Sequence, residues 1–422
     1  MDLQTNEHPI HPIIIILLAI LIFYIPFETM GMEQSGRTFT YSKIVGYVFF
    51  ASCFILDRER CFGFPPKAFW CFSFYLLMYS ISGFFQEASF QDAIIERAIT
   101  IIQMLMFFWV SFNILKFADY SNIMIYSLAI SCIIISSLQL AGITVTEYLD
   151  DVSRLSFLEE DPNTAGSILA LGAVCLVGII FKEEDLFSLH GGICFIFLIV
   201  VFVALVKTGS RGALLSLIVG MAVYVMASSD VKVKKMRYML LSILLLIFAL
   251  WIAYSYDFMR MRIEETIYSG NFARREIIIP VVLDMIIEKP ILGWGAFTNI
   301  VELGHRTGAI FVKDTHNTLL FVLTEVGILG AIPFFIGLYL CVRSSVRSNR
   351  TLFNPLPFSL VMTLVIINLS LTWHNRKFFW FVLALSLASG FQVNKASESI
   401  NSLPTALSFH SFSGNKLEKE RS

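Results

Sequence analysis

Charge is scarce in this chain. Asp, Glu, Lys and Arg make up 15% of its 422 residues, where a soluble domain carries about 25%. The charges that exist stand between apolar runs rather than within them, which excludes an ordinary water-soluble globule. The common catalytic motifs are also missing: there is no Walker A loop, no H-E-x-x-H and no G-x-S-x-G. The outer segments hold no D-x-D for a metal-bound nucleotide. His305, His316 and His374 share the outer side without the spacing of a metal site. Chemistry on that face is therefore expected to proceed without ATP, without a bound metal and without a cofactor, and no nucleic-acid partner is expected. Cysteine occurs seven times, an odd number with no metal-ligand spacing, so the thiols read as small packing residues. The opening MDLQTNEHPIHP has no Lys or Arg, and no A-x-A-like site follows the first apolar run. That run reads as a retained anchor rather than a cleaved signal.

Apolar side chains are abundant instead. They form 56% of the sequence, with 40 Phe and a mean hydropathy of +0.73. Twelve apolar runs fall near 10–27, 41–56, 68–85, 94–115, 122–143, 164–181, 190–207, 211–229, 238–256, 316–341, 356–373 and 377–393. The expectation is an all-α integral membrane protein with about twelve transmembrane helices, because a helix satisfies its own backbone in lipid. With the N-terminus inside, the inner segments and tail hold sixteen Lys or Arg against eight in the short outer loops. That bias places both termini in the cytoplasm. Residues 1–256 then form spans one to nine, 257–315 a large outer loop, 316–393 spans ten to twelve, and 394–422 a cytoplasmic tail expected to be disordered.

The large loop has 59 residues, with seven Lys or Arg and eight Asp or Glu. Loops of this length are usually functional. Within it, FARREIIIPVVLDMIIE (272–288) reads as a helix kinked at Pro280 and lying on or dipping into the outer leaflet. Pro290 and the Gly293-Trp294-Gly295 turn end it. An acidic outer loop, 144–163, leads into DPNTAG at the start of the sixth span.

Three constellations could carry chemistry. Thr208-Gly-Ser-Arg-Gly212 opens a helix at the outer face, so free N–H groups, the helix dipole and a guanidinium converge there. Ser210 and Arg211 suit a phosphate oxyanion, or Arg211 simply snorkels to lipid headgroups. Arg274 and Arg275 place two cations at a helix N-terminus, against its dipole. They call for an anion, which a ligand, Glu276 or a surface ion pair could supply. His316-Asn317 stands at the mouth of a long apolar run. The imidazole is either a proton acceptor near neutral pH or a structural interfacial histidine. Glu325 lies nine residues on, roughly 14 Å deeper and on the opposite helix face. A carboxylate at that depth needs a partner, and a neighbouring helix is the expected source.

These stretches together resemble the O-antigen ligase and O-antigen polymerase superfamily of bacterial membrane proteins. GSRGALL resembles the family's arginine at the outer end of a span. RREIIIPVVLDMIIEKPILGWG resembles its loop arginine followed by P-x-x-G-x-G, and counting back from Pro290 favours Arg275 over Arg274. Where the family often has an aromatic residue four places on, this chain has Ile279 or Ile278. HNTLLFVLTEVGILG is similar to the HN-x-x-L-x-x-x-x-E-x-G signature, and DPNTAG to a P-N-x-x-G element. The patterned region covers roughly 160–335.

The resemblance implies a multi-pass inner-membrane glycosyltransferase whose active site faces the periplasm, with the large loop periplasmic and containing short helices. The donor would be a glycan on undecaprenyl diphosphate and the acceptor a glycan or lipid A-core hydroxyl. Arg211 and Arg275, with Arg274 nearby, would hold the diphosphate. His316 would be catalytic, and Ser210, Asn317 and Glu325 supporting. The motifs do not separate polymerase from ligase. The other reading is a polysaccharide-repeat transporter or flippase without catalysis, which should show repeats and midplane charges on broken helices.

Overall fold

The computed structural model describes residues 10–28, 40–143, 145–147, 154–158, 160–182, 189–228, 232–270, 272, 275–309, 313–352 and 354–401. Among them are sixteen α-helices and two short strands. In order they are α1 (Pro12–Tyr24), α2 (Tyr41–Leu56), α3 (Arg58–Cys61), α4 (Lys67–Phe84), α5 (Gln91–Leu115), α6 (Ala118–Leu140), β1 (Val145–Glu147), β2 (Leu155–Phe157), α7 (Pro162–Lys182) and α8 (Leu189–Lys207). Then follow α9 (Arg211–Ala227), α10 (Lys232–Ser255), α11 (Asp257–Ser269), α12 (Arg275–Glu288), α13 (Thr298–Thr307), α14 (Thr318–Leu352), α15 (Leu356–Asn368) and α16 (Lys377–Asn401).

Every apolar run of the sequence falls on a helix, and the protein is a helical, multi-pass membrane protein. Twelve crossings are more than length and hydropathy establish. Among the described residues five segments are long and apolar enough to span: Ala88–Leu115, Tyr120–Leu140, Pro162–Lys182, Leu189–Lys207 and Thr318–Thr351. Five more, including α2, α9 and α15, are apolar but shorter. Polar residues cut them off: Asp57 caps α2, and a polar turn follows α15. At the other end α16 stays helical to Asn401, past the expected boundary at 393; residues 402–422 lie outside the described residues. The acidic outer loop also differs from a purely helical reading. Its β1 and β2 pair antiparallel, with Thr146 opposite Ser156.

The bundle is built around α7, which is buried along its length. Its sequence PNTAGSILALGAVCLVGII alternates Ala, Gly and Ser with aliphatic residues. In lipid such small residues let neighbouring helices approach and gain dispersion contact; α6, α8, α9 and α15 pack on it. A second packing centre lies where α14 meets α4 and α16. There Phe72 makes edge contacts with Phe108, Phe334 and Trp380 at 5.1 to 5.5 Å between ring centres.

Ion pairs just before and at the start of α16 fix helix ends. Arg376 bonds Glu160 at 2.7 Å, and Lys377 pairs with Glu28 and donates to Ser42 at 3.1 Å. Burial pushes Glu160 above its ordinary value, and Arg376 opposes that shift.

Candidate active site at the helix mouth

The first component is the turn from Thr208 to Gly212. Ser210 accepts from Ala213 N–H at 3.3 Å and so caps α9, as its side-chain oxygen allows. Arg211, the first helical residue, reaches to α11. One of its nitrogens donates to the Arg262 carbonyl at 2.7 Å and to Thr266 Oγ1. Beneath it, Phe258 of α11 packs so closely on Gly209 that a Cβ there would sit 2.7 Å from the ring.

DPNTAG is the second component. Asp161 accepts from Asn163 and Thr164 N–H at 2.9 and 3.1 Å, capping α7. Arg154 donates to Asn163 Oδ1 and to the Thr208 carbonyl, both at 3.1 Å, and so ties this cap to the first turn. Gly166 completes the contact: a Cβ there would stand 2.7 Å from Thr208 Oγ1 and 3.0 Å from Ser210 Cβ. The glycine of P-N-x-x-G is thus a packing requirement of the arginine turn.

The third component is the turn after α15, which joins the others. The Ser370 carbonyl accepts from Arg275 at 2.7 Å, and the Ser370 side chain packs on Gly212 beside Arg211. The Leu369 carbonyl accepts from Asn317 Nδ2 at 3.3 Å. Thr318 Oγ1 donates to Asn368 Oδ1 and to the Leu371 carbonyl at 2.5 and 3.0 Å. Thr372 Oγ1 donates to Asp314 at 2.6 Å. The Arg211 helix end, Arg275 and the segment around His316, three parts of the chain, therefore meet at one short turn.

Asn317 caps α14 through its Oδ1, which accepts from Leu319 and Leu320 N–H at 3.0 and 3.1 Å. His316 immediately before it is half-buried and adopts a left-handed backbone, φ 50°. Its N–H donates to Asp314 Oδ1 at 3.2 Å. Such a conformation is uncommon outside glycine and costs energy; here the Asp314 and Asn317 bonds on either side hold it. Burial lowers the pKa of His316 from its usual value, the Asp314 charge raises it, and Arg275 lowers it further. The neutral imidazole is thereby favoured, with Arg275 and Asp161 among its charged neighbours. Arg275 is itself lowered, first by burial and then by the nearby charge of Arg262.

Glu325 belongs to a separate, buried cluster. Tyr75 of α4 donates to Glu325 Oε2 at 2.5 Å, and Arg97 of α5 lies 3.6 Å from Oε1. Arg97 also meets His374 Nε2 at 2.9 Å and covers the Phe321 ring at 4.6 Å. A guanidinium only donates, so His374 accepts through Nε2 and carries its proton on Nδ1. Glu325 therefore bonds two neighbouring helices rather than His316.

Its backbone does more. Gly327 interrupts α14 with φ 59° and ψ −169°. The P-x-x-G-x-G loop fills the interruption: Trp294 N–H donates to the Thr324 carbonyl at 2.7 Å and Gly295 N–H to the Glu325 carbonyl at 3.0 Å. In return Ile328 N–H donates to the Pro290 carbonyl at 2.8 Å. A Cβ on Gly293 would lie 2.6 Å from Gly327 N. The loop glycines and the glycine of E-x-G thus form a single backbone splice.

Arg211, Ser210, Arg275, His316 and Asn317 are drawn to this mouth, while Arg274 lies outside the described residues. Arg154, Arg262, Asp314 and the 368–372 turn were not singled out in the sequence. The available signal was polar density: SLTWHNRK (370–377) stands between two apolar runs. Among the described residues no group of three or more His, Cys, Asp or Glu is arranged to hold a metal ion.

No curated protein matches this chain. Residues 195–335 match a family model described as O-antigen ligase. The matched segment runs from α8 through the Thr208–Gly212 turn and the large loop to the Gly327 splice in α14. Over that segment, about a third of its length, the chain is similar to the O-antigen ligase family.

Proposed function

We propose that the protein transfers an oligosaccharide from undecaprenyl diphosphate to an acceptor sugar hydroxyl at the periplasmic face of the inner membrane. The observation that carries this reading is the shared turn at 368–372. It brings Arg275 and the Arg211 helix end to the foot of the His316 loop. In the reaction the acceptor oxygen bonds to the anomeric carbon, the bond from that carbon to the diphosphate oxygen breaks, and the electron pair leaves on the diphosphate. Arg211 and Arg275 hold the diphosphate and stabilise the charge arriving there. His316, favoured as neutral imidazole, takes the acceptor proton. Ser210 and Asn317 fix the helix ends that present these groups, and Glu325 fixes α14. Phosphate charge falls to guanidiniums in this scheme, so transfer is expected to survive a chelator.

Polymerase and ligase share this chemistry and differ in the acceptor, a growing glycan or lipid A-core. The P-x-x-G-x-G and P-N-x-x-G elements incline the reading to polymerase. The test is a glycan profile of a deletion strain, with lipid-linked and surface-linked pools separated, complemented by wild type or His316→Ala. Loss of long chains with single repeats still reaching the surface marks a polymerase. Long chains accumulating on undecaprenyl diphosphate mark a ligase. Repeats trapped on the cytoplasmic face, or full rescue by His316→Ala, would overturn the catalytic reading.

A further inference from the structure

Arg262 of α11 stands beside the two arginines assigned to the diphosphate. Its carbonyl accepts from Arg211 at 2.7 Å, its guanidinium lies over the Phe258 ring at 5.6 Å, and Phe258 packs on Gly209 of the arginine turn. The charge of Arg262 acts on both Arg211 and Arg275. One of its terminal nitrogens, Nη1, is buried and has no hydrogen-bond partner. A buried donor left unmade is costly, and the mutual repulsion of the three guanidiniums, which Glu265, Glu276 and Asp161 offset in part, favours a further anion beside them.

Resting on the diphosphate reading above, we infer that Arg262 is a third guanidinium of the site, directed at the leaving group rather than at the bound donor. A glycan-linked lipid diphosphate is a diester. When the anomeric C–O bond breaks, the electron pair stays on the terminal phosphate and the product is a monoester with one more ionisable oxygen, which titrates near neutral pH. The acceptor proton goes to His316, so the added charge is not neutralised by that proton. Arg211 and Arg275 meet the charge already present in the donor. Arg262 supplies the cation for the charge that appears during transfer, and an interaction stronger in the transition state than in the ground state raises turnover rather than affinity.

The experiment uses the full chain in nanodiscs with two probes. Farnesyl diphosphate is a monoester like the leaving group, and its P2-methyl ester is a diester like the donor. Arg262→Gln is expected to weaken monoester binding about tenfold while leaving the diester within about twofold, and Arg262→Lys is expected to recover part of the loss. Arg211→Ala should weaken both probes. Equal loss of both probes in Arg262→Gln, or no loss of either, overturns the role of Arg262 and leaves the diphosphate reading standing. Failure of the wild-type protein to bind either probe overturns both. A melting temperature matching wild type verifies that Arg262→Gln is folded; if it is not, the same comparison is read from Arg262→Lys.

Discussion

Two arginine sites in this molecule are solved in opposite ways. Arg97 is closed in: a carboxylate, an imidazole nitrogen and a phenyl face meet its guanidinium inside the bundle. At the mouth, Arg211 and Arg275 bond backbone carbonyls and a threonine hydroxyl, with Arg262 adding like charge. The first arrangement supplies its own anion and acts as a brace between α4, α5 and α14. The second sets three guanidiniums close enough to act on one another, with Glu265, Glu276 and Asp161 offsetting that charge in part. Residue type alone does not distinguish them; the partners do.

The contrast can be broken at the mouth first. Arg211→Ala, Arg275→Ala and His316→Ala are each expected to reduce transfer by about 10²-fold or more, with unfolding in detergent close to wild type. A parallel loss of folded protein would make these residues braces as well. At the interior site the outcome should reverse. Glu325→Ala strands Arg97 and the Tyr75 hydroxyl, and removing one partner of a buried pair costs about 3–5 kcal/mol. A thermal or denaturant melt should fall accordingly, with activity lost through folded yield. Glu325→Gln, which keeps a hydrogen-bond acceptor, should lose less. Gly327→Ala tests the splice, since a Cβ would strain a positive φ; a cost of about 1–3 kcal/mol is expected in the same melt.

The smallest effect concerns pH. In the folded protein His316 sits below its usual 6.5. On acidification the unfolded chain binds the proton first, so its contribution to stability is lost as pH falls from 6.5 through the lowered value. The acid limb of transfer should lie below 6.5 for the same reason. Asp314 raises His316, so Asp314→Asn should move that limb lower still. A limb that stays fixed in this variant would exclude His316 as its source.

Much of this was legible in the residues. Apolar runs located the helices because lipid leaves the backbone few other choices. The depth of Glu325 required a partner and pointed to a neighbouring helix as its source. Arg275 was favoured by its distance from Pro290, and Ser210 and Asn317 by their places at helix starts. What escaped depends on long-range contact. Arg154 and Arg262 look like ordinary loop cations until β2 and α11 fold onto the Thr208–Gly212 turn. The 368–372 turn contributes mainly carbonyls, which every residue has, so side-chain chemistry gave no sign of it. The number of crossings also stayed open, because short helices with polar ends satisfy the same periodicity as full spans.

The splice at Gly327 bears on how this protein can be recombined. Four hydrogen bonds join 290–295 to 324–329 across the interruption, so the large loop is not a separable cartridge. A chimaera that imports the loop from a relative must import the outer turns of α14 with it, down past Leu329. Otherwise the incoming glycines will face a helix cut for a different strand of backbone, and the histidine mouth will be assembled on a mismatched seam.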